Sequence, residues 1–511
     1  MTSNVHASAG VISELTDEQR LAAASLQTNL FIEAGPGTGK TTVSAQRFGV
    51  QRFISSRPYD ARAVVAVSFT RAATYNLRQR VQRLWGPTAL TWPHRIVTLD
   101  TIMCDLLHDL MQQKLVIWPN ALKLWPDGNI ELDVRDSWAS SISTVWSRAY
   151  YKLELHEGKI KLSEEFTSEQ AAHFPKKDVE CLIEQGICTH QDIRDILTLA
   201  LKEPTSATRV QKRLGDTMRA LIVDEVFDAN GLDIAIIGAA IAAGVSVTLV
   251  GDPWQALYVF RGARPEAIPR LLERAEVATL RLTKSFRWCS KEQHNLANRL
   301  RAGKGIILPN EESDIDVALA LRWAELWSLG GKVLPLAFQS FKGSYGEAAV
   351  TLILNHLTRS TLNLDASYLN DALTALNIQD REIPRMLEPE LQDVVETLRP
   401  GGKEAAKAAY MQLREVISKV STRELPRRPH YTHTDKLVQL RERIVYPGDI
   451  IPGLTTHQAK GHEWQIVGVR LKPDEREVLA AGLNSSEELH RKIYVACTRA
   501  RERTIELGSS I

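Results

Sequence analysis

Short apolar runs alternate with longer amphipathic segments through the first half of the chain, and again near its end. In the first half the runs of strand length are residues 30–32, 63–68, 95–99, 220–223, 245–250 and 278–282. A helical pattern follows the first run as far as Phe53, and another covers residues 72–84 after the second run. Parallel strands are buried on both faces and are joined by helices, so this alternation predicts a doubly wound, mostly parallel α/β sheet.

The second half of the chain predicts a second α/β domain. Residues 330–340, 466–471 and 504–507 have strand-forming sequence. Two other stretches differ in character: residues 103–215 contain charged segments such as 159–169 that we interpret as helical, and residues 344–421 also have helical sequence. We therefore expect two α/β domains, each with a mainly helical insertion.

Composition adds a few limits. The chain has 511 residues, which exceeds the roughly 250–300 that one hydrophobic core serves. Its net charge of +2 means that any nucleic-acid surface must be a local patch. Five cysteines without a C-x-x-C pair favour a reducing compartment. Residues 1–15 (MTSNVHASAGVISEL) have neither a basic stretch nor an apolar core, so we expect no export signal there and a cytoplasmic protein. We expect the apolar residues 232–250, which Gly238 and Gly244 interrupt, to form a buried helix and strand.

A glycine-rich loop separates the first predicted strand from its helix. Its residues are Ala34, Gly35, Pro36, Gly37, Thr38, Gly39, Lys40 and Thr41. Glycines let backbone N–H groups surround phosphate oxygens, and the helix N-terminus adds a favourable dipole. In this pattern Lys40 would reach the β- and γ-phosphates and the Thr41 hydroxyl would bind Mg²⁺. Ala34 stands where the strict pattern has glycine, but the length and context of the match predict phosphate binding.

An apolar strand that ends in two acids supplies the metal carboxylate that such a loop requires. Asp224 would hold Mg²⁺, and Glu225 would position and deprotonate the attacking water. Taken alone, two acids after a core strand are commonly solvated side chains without a metal. Hydrolysis also requires positive charge at the γ-phosphate. Arg287 and Arg499 are the candidates, although spacing alone does not distinguish either from a surface residue.

The order of these and further motifs resembles the UvrD/Rep/PcrA family of superfamily 1 helicases. The motifs are LTDEQ (15–19), AGPGTGKT (34–41), SFTRAA (68–73), TLDTI (98–102), DEVFD (224–228), GDPWQALYVFRGA (251–263), LTKSFR (282–287), TTHQAKGHEW (455–464) and IYVACTRA (493–500). They extend over almost the whole chain in the order of the family. A chance match of that extent is excluded.

The resemblance implies a role for each matching position. Gln19 would read the adenine edge, Phe286 would stack on the base, and Thr42 lies where many relatives have an arginine that covers the adenine. Gln255 would contact the γ-phosphate and couple it to DNA, while Glu463 and Arg499 would complete the site from the second motor domain. The implied DNA contacts are Phe69, Thr70, Arg71, Tyr258, Phe260 and His457. For Tyr258 and Phe260, core packing is the alternative explanation.

The resemblance also implies a domain plan and a mechanism. Two RecA-like P-loop domains would comprise residues 1–105 with 205–280 and residues 281–343 with 450–511, and the helical insertions would be 106–204 and a reduced 344–449. ATP with Mg²⁺ would draw Arg287 and Arg499 onto the γ-phosphate and close a cleft between the domains, and hydrolysis would reopen it. The implied activity is translocation along single-stranded DNA, or DNA with a 3′ single-stranded tail, in the 3′→5′ direction.

Several positions depart from the family pattern. Phe227 replaces the usual glutamine, Asp100 a histidine, Ser285 an asparagine, His462 a leucine and Thr42 an arginine. The catalytic set remains, so ATP hydrolysis is expected to survive, and a degenerate binding module without turnover is disfavoured. These substitutions leave the coupling of hydrolysis to DNA open.

The short second insertion leaves a further alternative open. Only residues 344–449 are free for an accessory domain that is much larger in full-length relatives. Compact UvrD-like proteins, some with aspartate at the position of Asp100, occur beside a nuclease in anti-phage systems such as Gabija. The alternative function is therefore a DNA- or nucleotide-sensing ATPase subunit that regulates a partner nuclease and unwinds little DNA itself.

Overall fold

The structure is a computed structural model that describes residues 15–53, 60–310 and 314–508. The chain divides after Phe286 into two compact units, which are called unit 1 and unit 2 below. The expectation that no export signal is present concerns residues 1–15, and all of these except Leu15 lie outside the described part of the chain.

Unit 1 is built on a six-stranded parallel sheet. Its strands are β1 (Asn29–Ala34), β2 (Ala63–Ser68), β3 (Arg95–Thr98), β8 (Met218–Val223), β9 (Ser246–Gly251) and β10 (Ala278–Leu282), in the order β10-β1-β9-β8-β2-β3. Every neighbouring pair is parallel. Each strand predicted for the first half of the chain therefore lies in this sheet, which confirms the α/β class.

Helices cover this sheet and carry the chain between its strands. They are α1 (Asp17–Ala24), α2 (Lys40–Phe53), α3 (Arg71–Trp85), α4 (Leu99–Gln112), α8 (Pro204–Thr217), α9 (Gly231–Ala242) and α10 (Ile268–Arg274). Because the strands are parallel, their carboxyl ends meet at one edge of the sheet, where ligands of open α/β sheets bind. The glycine-rich loop, the two acids and the segment containing Gln255 all begin at that edge, after β1, β8 and β9 respectively.

Within the first insertion, the predicted helix over residues 159–169 is wrong. These residues belong to β6 (Lys159–His173), which pairs with β5 (Val145–His156) in an antiparallel hairpin. Apolar residues alternate along both strands and meet across the pair, as Leu153 does with Leu162. The tight turn is Glu157-Gly158, both at positive φ. The many charged side chains obscured the period of two, whereas the Gly at the turn was an available signal.

The rest of the first insertion consists of short helices and strands. They are α5 (Ala121–Leu124), β4 (Asp133–Arg135), α6 (Lys176–Ile183), β7 (Ile187–Thr189) and α7 (His190–Ala200). Strands β4 and β7 form a short parallel pair. The buried Trp118 indole donates a hydrogen bond to the Ile183 carbonyl at 2.7 Å, which ties the two ends of this segment together.

Unit 2 contains a second parallel sheet and a helical segment. The strands β11 (Val317–Ala320), β12 (Val333–Pro335), β13 (Ile451–Thr455), β14 (Trp464–Arg470) and β15 (Ala500–Glu506) have the order β12-β13-β11-β14-β15. The helices are α11 (Lys291–Arg301), α12 (Trp323–Trp327), α13 (Tyr345–Leu362), α14 (Leu369–Ala375), α15 (Ile383–Met386), α16 (Glu388–Leu398), α17 (Gly402–Ser418), α18 (Tyr431–Ile444), α19 (Thr456–Ala459), α20 (Pro473–Ala481) and α21 (Glu488–Cys497). Strands β11 and β13 were not predicted because both are short apolar runs, although Pro447 and Gly448 before β13 were an available turn signal.

Two sequence-based expectations concern helices and strands of unit 1. Residues 232–250 form helix α9 and strand β9, as predicted, and among the described residues no helix is both long and apolar enough to span a bilayer. The domain boundary placed after residue 280 falls inside β10, since Leu282 pairs with Ala34 of β1. The first sheet therefore extends past that boundary.

Candidate nucleotide site and nucleic-acid contacts

The glycine-rich loop turns tightly between β1 and α2. Gly37 and Gly39 have φ values of +71° and +85°, a region that favours glycine. A Cβ at Gly39 would lie 2.6 Å from the side-chain nitrogen of Gln19, so a larger residue there would displace that amide. Inside the loop the Thr38 hydroxyl donates to the Gly35 carbonyl at 3.0 Å. The loop therefore leads directly into the N-terminus of α2, where backbone N–H groups favour an anion.

Lys40 faces the acid pair at the end of β8. Its ammonium lies 3.8 Å from a Glu225 carboxylate oxygen and donates to the Ala34 carbonyl at 3.2 Å. Asp224 is almost fully buried, and its carboxylate accepts a hydrogen bond from the Glu225 backbone N–H at 3.1 Å. The structure thus brings together the lysine and the acid that the sequence assigned to phosphate transfer.

Glu225 has a left-handed backbone conformation. Its φ is +58° and ψ is +43°, which costs a non-glycine residue about 1–2 kcal/mol. Unfavourable backbone geometry of this kind is concentrated at functional sites, where the surroundings hold it in place. Here the result is that Glu225 turns toward Lys40 at the carboxyl edge of the sheet.

The oxygen donors at this edge suit Mg²⁺. Asp224 supplies a carboxylate and Thr41 a hydroxyl at the start of α2. Magnesium prefers such hard oxygen ligands and is held by one or two protein groups together with substrate phosphates. The chemistry of the residues present therefore fits a divalent ion.

Gln255 is fixed by an aspartate that sequence reasoning did not single out. Both residues are buried after β9, and the Gln255 amide donates to the Asp252 carboxylate at 2.8 Å. The other Asp252 oxygen accepts from the Trp254 backbone N–H at 3.2 Å. An aspartate directly before a proline at the first position of a helical turn is a capping signal, and that signal was present in the sequence at Pro253.

Gln19 has a defined amide orientation. Its side-chain oxygen accepts from the Thr16 N–H at 3.0 Å, and its nitrogen donates to the Thr38 carbonyl at 3.0 Å. An amide has two donor hydrogens and two acceptor sites, so one of each remains. A donor next to an acceptor matches the N7 and N6 edge of adenine, whereas guanine presents two acceptors there.

A segment after β10 is fastened to the glycine-rich loop. The Phe286 N–H donates to the Gly37 carbonyl at 2.9 Å, and the Ser285 hydroxyl to the Pro36 carbonyl at 2.8 Å. Ser285, one of the departures from the family pattern, therefore acts as an anchor. Phe286 is 49% exposed, and the Lys284 ammonium lies over its ring, 5.3 Å from the ring centre.

The same segment is tied to helix α1. The Glu18 carboxylate accepts from both the backbone N–H and the hydroxyl of Thr283, each at 2.7 Å. These contacts lower the pKa of Glu18, and the hydrogen bond from the Thr283 backbone is the main cause. Helix α1 thus contacts the loop through Gln19 and the segment through Glu18.

Arg80 reaches the position where Thr42 replaces an arginine. Its guanidinium, which comes from helix α3, donates to the Thr42 hydroxyl. The Thr42 Cβ is 3.9 Å from the place that a Cβ on Gly39 would occupy, so Arg80 lies next to the loop and Gln19. No local pattern relates residues 42 and 80, and only the packing of α3 on α2 shows the pair.

Replacement of Arg80 by alanine tests its contribution to nucleotide binding. We expect Arg80→Ala to raise the KM for ATP by roughly 3- to 30-fold, because that is the effect of losing one charge-assisted hydrogen bond to the nucleotide. The kcat should change little. Arg83→Ala, an exposed arginine of the same helix, is the matched control. Equal KM values for the two variants would contradict a role for Arg80.

In unit 2 the predicted residues Arg287, Glu463 and Arg499 are neighbours. The Arg287 guanidinium donates to Glu463 at 3.0 Å and to the Thr498 carbonyl at 3.2 Å, directly before Arg499. Arg499 is 1% exposed and donates through Nε to the Val495 carbonyl at 3.1 Å. Arg501 also faces Glu463, at 4.0 Å. Glu463 therefore pairs with two arginines, Arg287 and Arg501, while Arg499 is held by the backbone of α21.

Two of the predicted DNA contacts form an aromatic pair. The Tyr258 and Phe260 rings lie 6.0 Å apart, and the Arg261 guanidinium is 5.3 Å and 5.5 Å from their centres. Phe260 is 62% exposed, so core packing does not explain it. Aromatic faces beside a cation are suited to stacking and backbone contact with single-stranded nucleic acid.

The other predicted DNA contacts are more scattered. Phe69 is half-buried against the core of unit 1, and Thr70 caps helix α3 by accepting from the Ala73 N–H at 3.1 Å. Arg71 is exposed and pairs with Asp136 of the first insertion at 2.5 Å. His457 lies half-buried in helix α19 of unit 2.

Two further departures from the family pattern have a local explanation. Phe227 is 6% exposed and packs edge-on against Phe31 at 6.0 Å, so its site is apolar. Asp100 pairs with Arg194 at 2.7 Å, and the same guanidinium bonds the buried Asp233 at 3.0 Å. Arg194, from the first insertion, thus neutralises the charge of the aspartate that replaces the histidine.

A glycine-rich loop between a strand and a helix, with its lysine facing an acid at the end of a nearby strand, defines a P-loop ATPase. Residues 15–276, just over half of the chain, match the family model of the UvrD/REP helicase N-terminal domain. The chain therefore belongs to the UvrD/REP helicase family of superfamily 1, and it is an ATP-hydrolysing enzyme.

Relatives of known function are similar over different shares of the chain. The ATP-dependent DNA helicase UvrD2 of Mycobacterium tuberculosis is 26% identical over 97% of this chain and 78% of its own length. DNA helicase II of Escherichia coli is 23% identical over 54% of this chain and 39% of its own length, and that of Haemophilus influenzae is 25% identical over 60% and 43%. The similarity to UvrD2 thus extends over both units.

Proposed function

We propose that this chain is an ATP-dependent DNA helicase that translocates along single-stranded DNA in the 3′→5′ direction. Membership of the UvrD/REP family and the similarity to named DNA helicases support the use of ATP and DNA. The direction and a preference for DNA with a 3′ single-stranded tail follow from the resemblance of the motifs. Residues 106–204 and 344–449 remain our proposed insertions in the two motor domains.

One observation carries the proposal. The short segment after β9 contains the buried Gln255, the half-buried Tyr258 and the exposed Phe260. Asp252 fixes Gln255 at the carboxyl edge of the sheet, and the chain reaches the aromatic rings within a few residues. A change at the γ-phosphate would therefore be passed to the aromatic contacts through a short, well-packed segment.

In the proposed reaction the residues of this chain have separate tasks. Lys40 and the N–H groups of α2 bind the phosphates, and Glu225 accepts a proton from the attacking water. Asp224 and Thr41 would hold Mg²⁺, which neutralises the charge on the phosphate oxygens when bound. We propose that Arg287 and Arg499 supply the positive charge required in the transition state.

The experiment that tests the function compares tailed DNA substrates. Purified protein is expected to show ATPase activity that single-stranded DNA stimulates, and to displace a strand from a 3′-tailed duplex but not from a 5′-tailed one. Displacement from the 5′-tailed duplex alone would refute the proposed direction. Strong ATPase activity without translocation, or activity only beside a nuclease, would favour the alternative of a regulatory ATPase subunit.

Replacement of Phe260 tests the DNA contact. We expect Phe260→Ala to raise the concentration of single-stranded DNA for half-maximal ATPase stimulation by roughly 5- to 100-fold, because stacking contributes about 1–3 kcal/mol per base. Basal ATPase activity should stay within about twofold. Trp146→Ala removes another exposed aromatic side chain of unit 1 and serves as the control. An equal loss of basal and stimulated activity would indicate a structural role for Phe260.

A further inference from the structure

Arg47 is a completely buried arginine in the helix that follows the phosphate loop. Its guanidinium donates to the backbone carbonyls of residues 22, 23, 25 and 27 at 2.9–3.4 Å. Its Nε donates to the Thr248 hydroxyl of β9 at 2.5 Å. One side chain on α2 therefore joins the end of helix α1 to the strand that leads to Asp252.

The contacts of Arg47 suit its charge. Burial lowers the pKa of Arg47 to about 10, so the guanidinium stays charged at neutral pH. A buried charge is tolerated only when its donors are satisfied, and the carbonyls at a helix C-terminus carry partial negative charge. Arg47 thus acts as a C-terminal cap for α1, supplied by another helix.

Helix α1 requires such an anchor. It has eight residues, and isolated helices of that length are not stable in water. Its position is therefore set by its contacts: Gln19 with the loop, Glu18 with Thr283, and Arg47 at the opposite end. A shift of the end held by Arg47 would displace the amide of Gln19 relative to a bound base.

We propose that Arg47 is a positioning residue for recognition of the nucleotide base. It does not contact the base and acts through helix α1 on Gln19. This inference rests on the proposed function of Gln19 in reading adenine. The contacts of Lys40 are to the Ala34 and Gly35 carbonyls and to Glu225 rather than to α1, so the part of binding that depends on the base should change most.

The test compares ATP with ITP, which carries an oxygen in place of the adenine amino group. Wild-type protein should prefer ATP by about tenfold in kcat/KM, the effect of one well-placed hydrogen bond. Arg47→Lys keeps the positive charge but has fewer hydrogen-bond donors. It should reduce the preference for ATP roughly three- to tenfold by raising the KM for ATP. Turnover of ITP should remain within about twofold. A purely structural role would instead lower activity with both nucleotides equally.

Two further variants separate the possible outcomes. Arg443→Lys alters another buried arginine that bonds backbone carbonyls, in unit 2, and should leave the preference unchanged. Gln19→Ala should abolish the preference, and combining it with Arg47→Lys should add no further loss. If Gln19→Ala keeps the preference, the proposed reading of adenine by Gln19 is wrong. If Gln19→Ala loses it and folded Arg47→Lys does not, the proposal for Arg47 is overturned.

Discussion

Lys40→Ala is expected to reduce ATP turnover by roughly 10³-fold or more, the scale that charged contacts to a transferring phosphoryl group reach. The ammonium lies at the start of α2 and faces Glu225 at 3.8 Å, at the edge where the loop and the acids meet. Alanine removes the charge that stabilises the phosphate oxygens and leaves the loop backbone intact. Steady-state ATPase assays with and without single-stranded DNA measure the effect.

The fold should survive this substitution. The lysine is at the edge of the sheet, and its contacts are to loop carbonyls and one partly exposed carboxylate. We expect the free energy of unfolding to change by no more than about 1–2 kcal/mol, because the mostly buried Lys40 loses its hydrogen bonds to the loop carbonyls. Lys212→Ala, which breaks an exposed pair with Asp216, is the matched control and should turn over ATP normally. Near-normal turnover by a folded Lys40→Ala protein would refute the assignment of the phosphate loop.

Glu225→Gln should separate chemistry from binding. A general base contributes about 10²–10⁴-fold, so kcat is expected to fall by that factor. The amide keeps the shape of the side chain and its turn toward Lys40, and the KM for ATP should stay within about threefold. Single-turnover hydrolysis together with equilibrium binding of ATP measures the two effects independently.

The control for this variant makes the same chemical change elsewhere. Glu273→Gln alters an exposed glutamate of helix α10 and should behave as wild type. A Glu225→Gln protein that loses nucleotide binding and hydrolysis together would show that the glutamate holds the loop structurally. Unchanged kcat would place the general base at another residue.

Local sequence determined most of the first sheet and the centre of the site. The four inner strands of the unit 1 sheet are largely apolar runs, a pattern that burial on both faces imposes, whereas the edge strands β10 and β3 are more exposed. The phosphate loop and the Asp224-Glu225 pair are each contiguous in sequence, so their residues can be identified without knowledge of packing. The hairpin of β5 and β6 was missed because its exposed face is charged and helix-like in composition.

Contacts between distant residues were decided only by the tertiary structure. Arg80 reaches Thr42, Glu18 holds Thr283, and Arg47 caps helix α1 through packing of separate elements. The sequence by itself determined the parallel sheet and the phosphate-binding loop of this protein, since both follow from short-range patterns. The positions of Gln19 and Phe286 beside that loop depend on hydrogen bonds across tens or hundreds of residues, which no local pattern encodes.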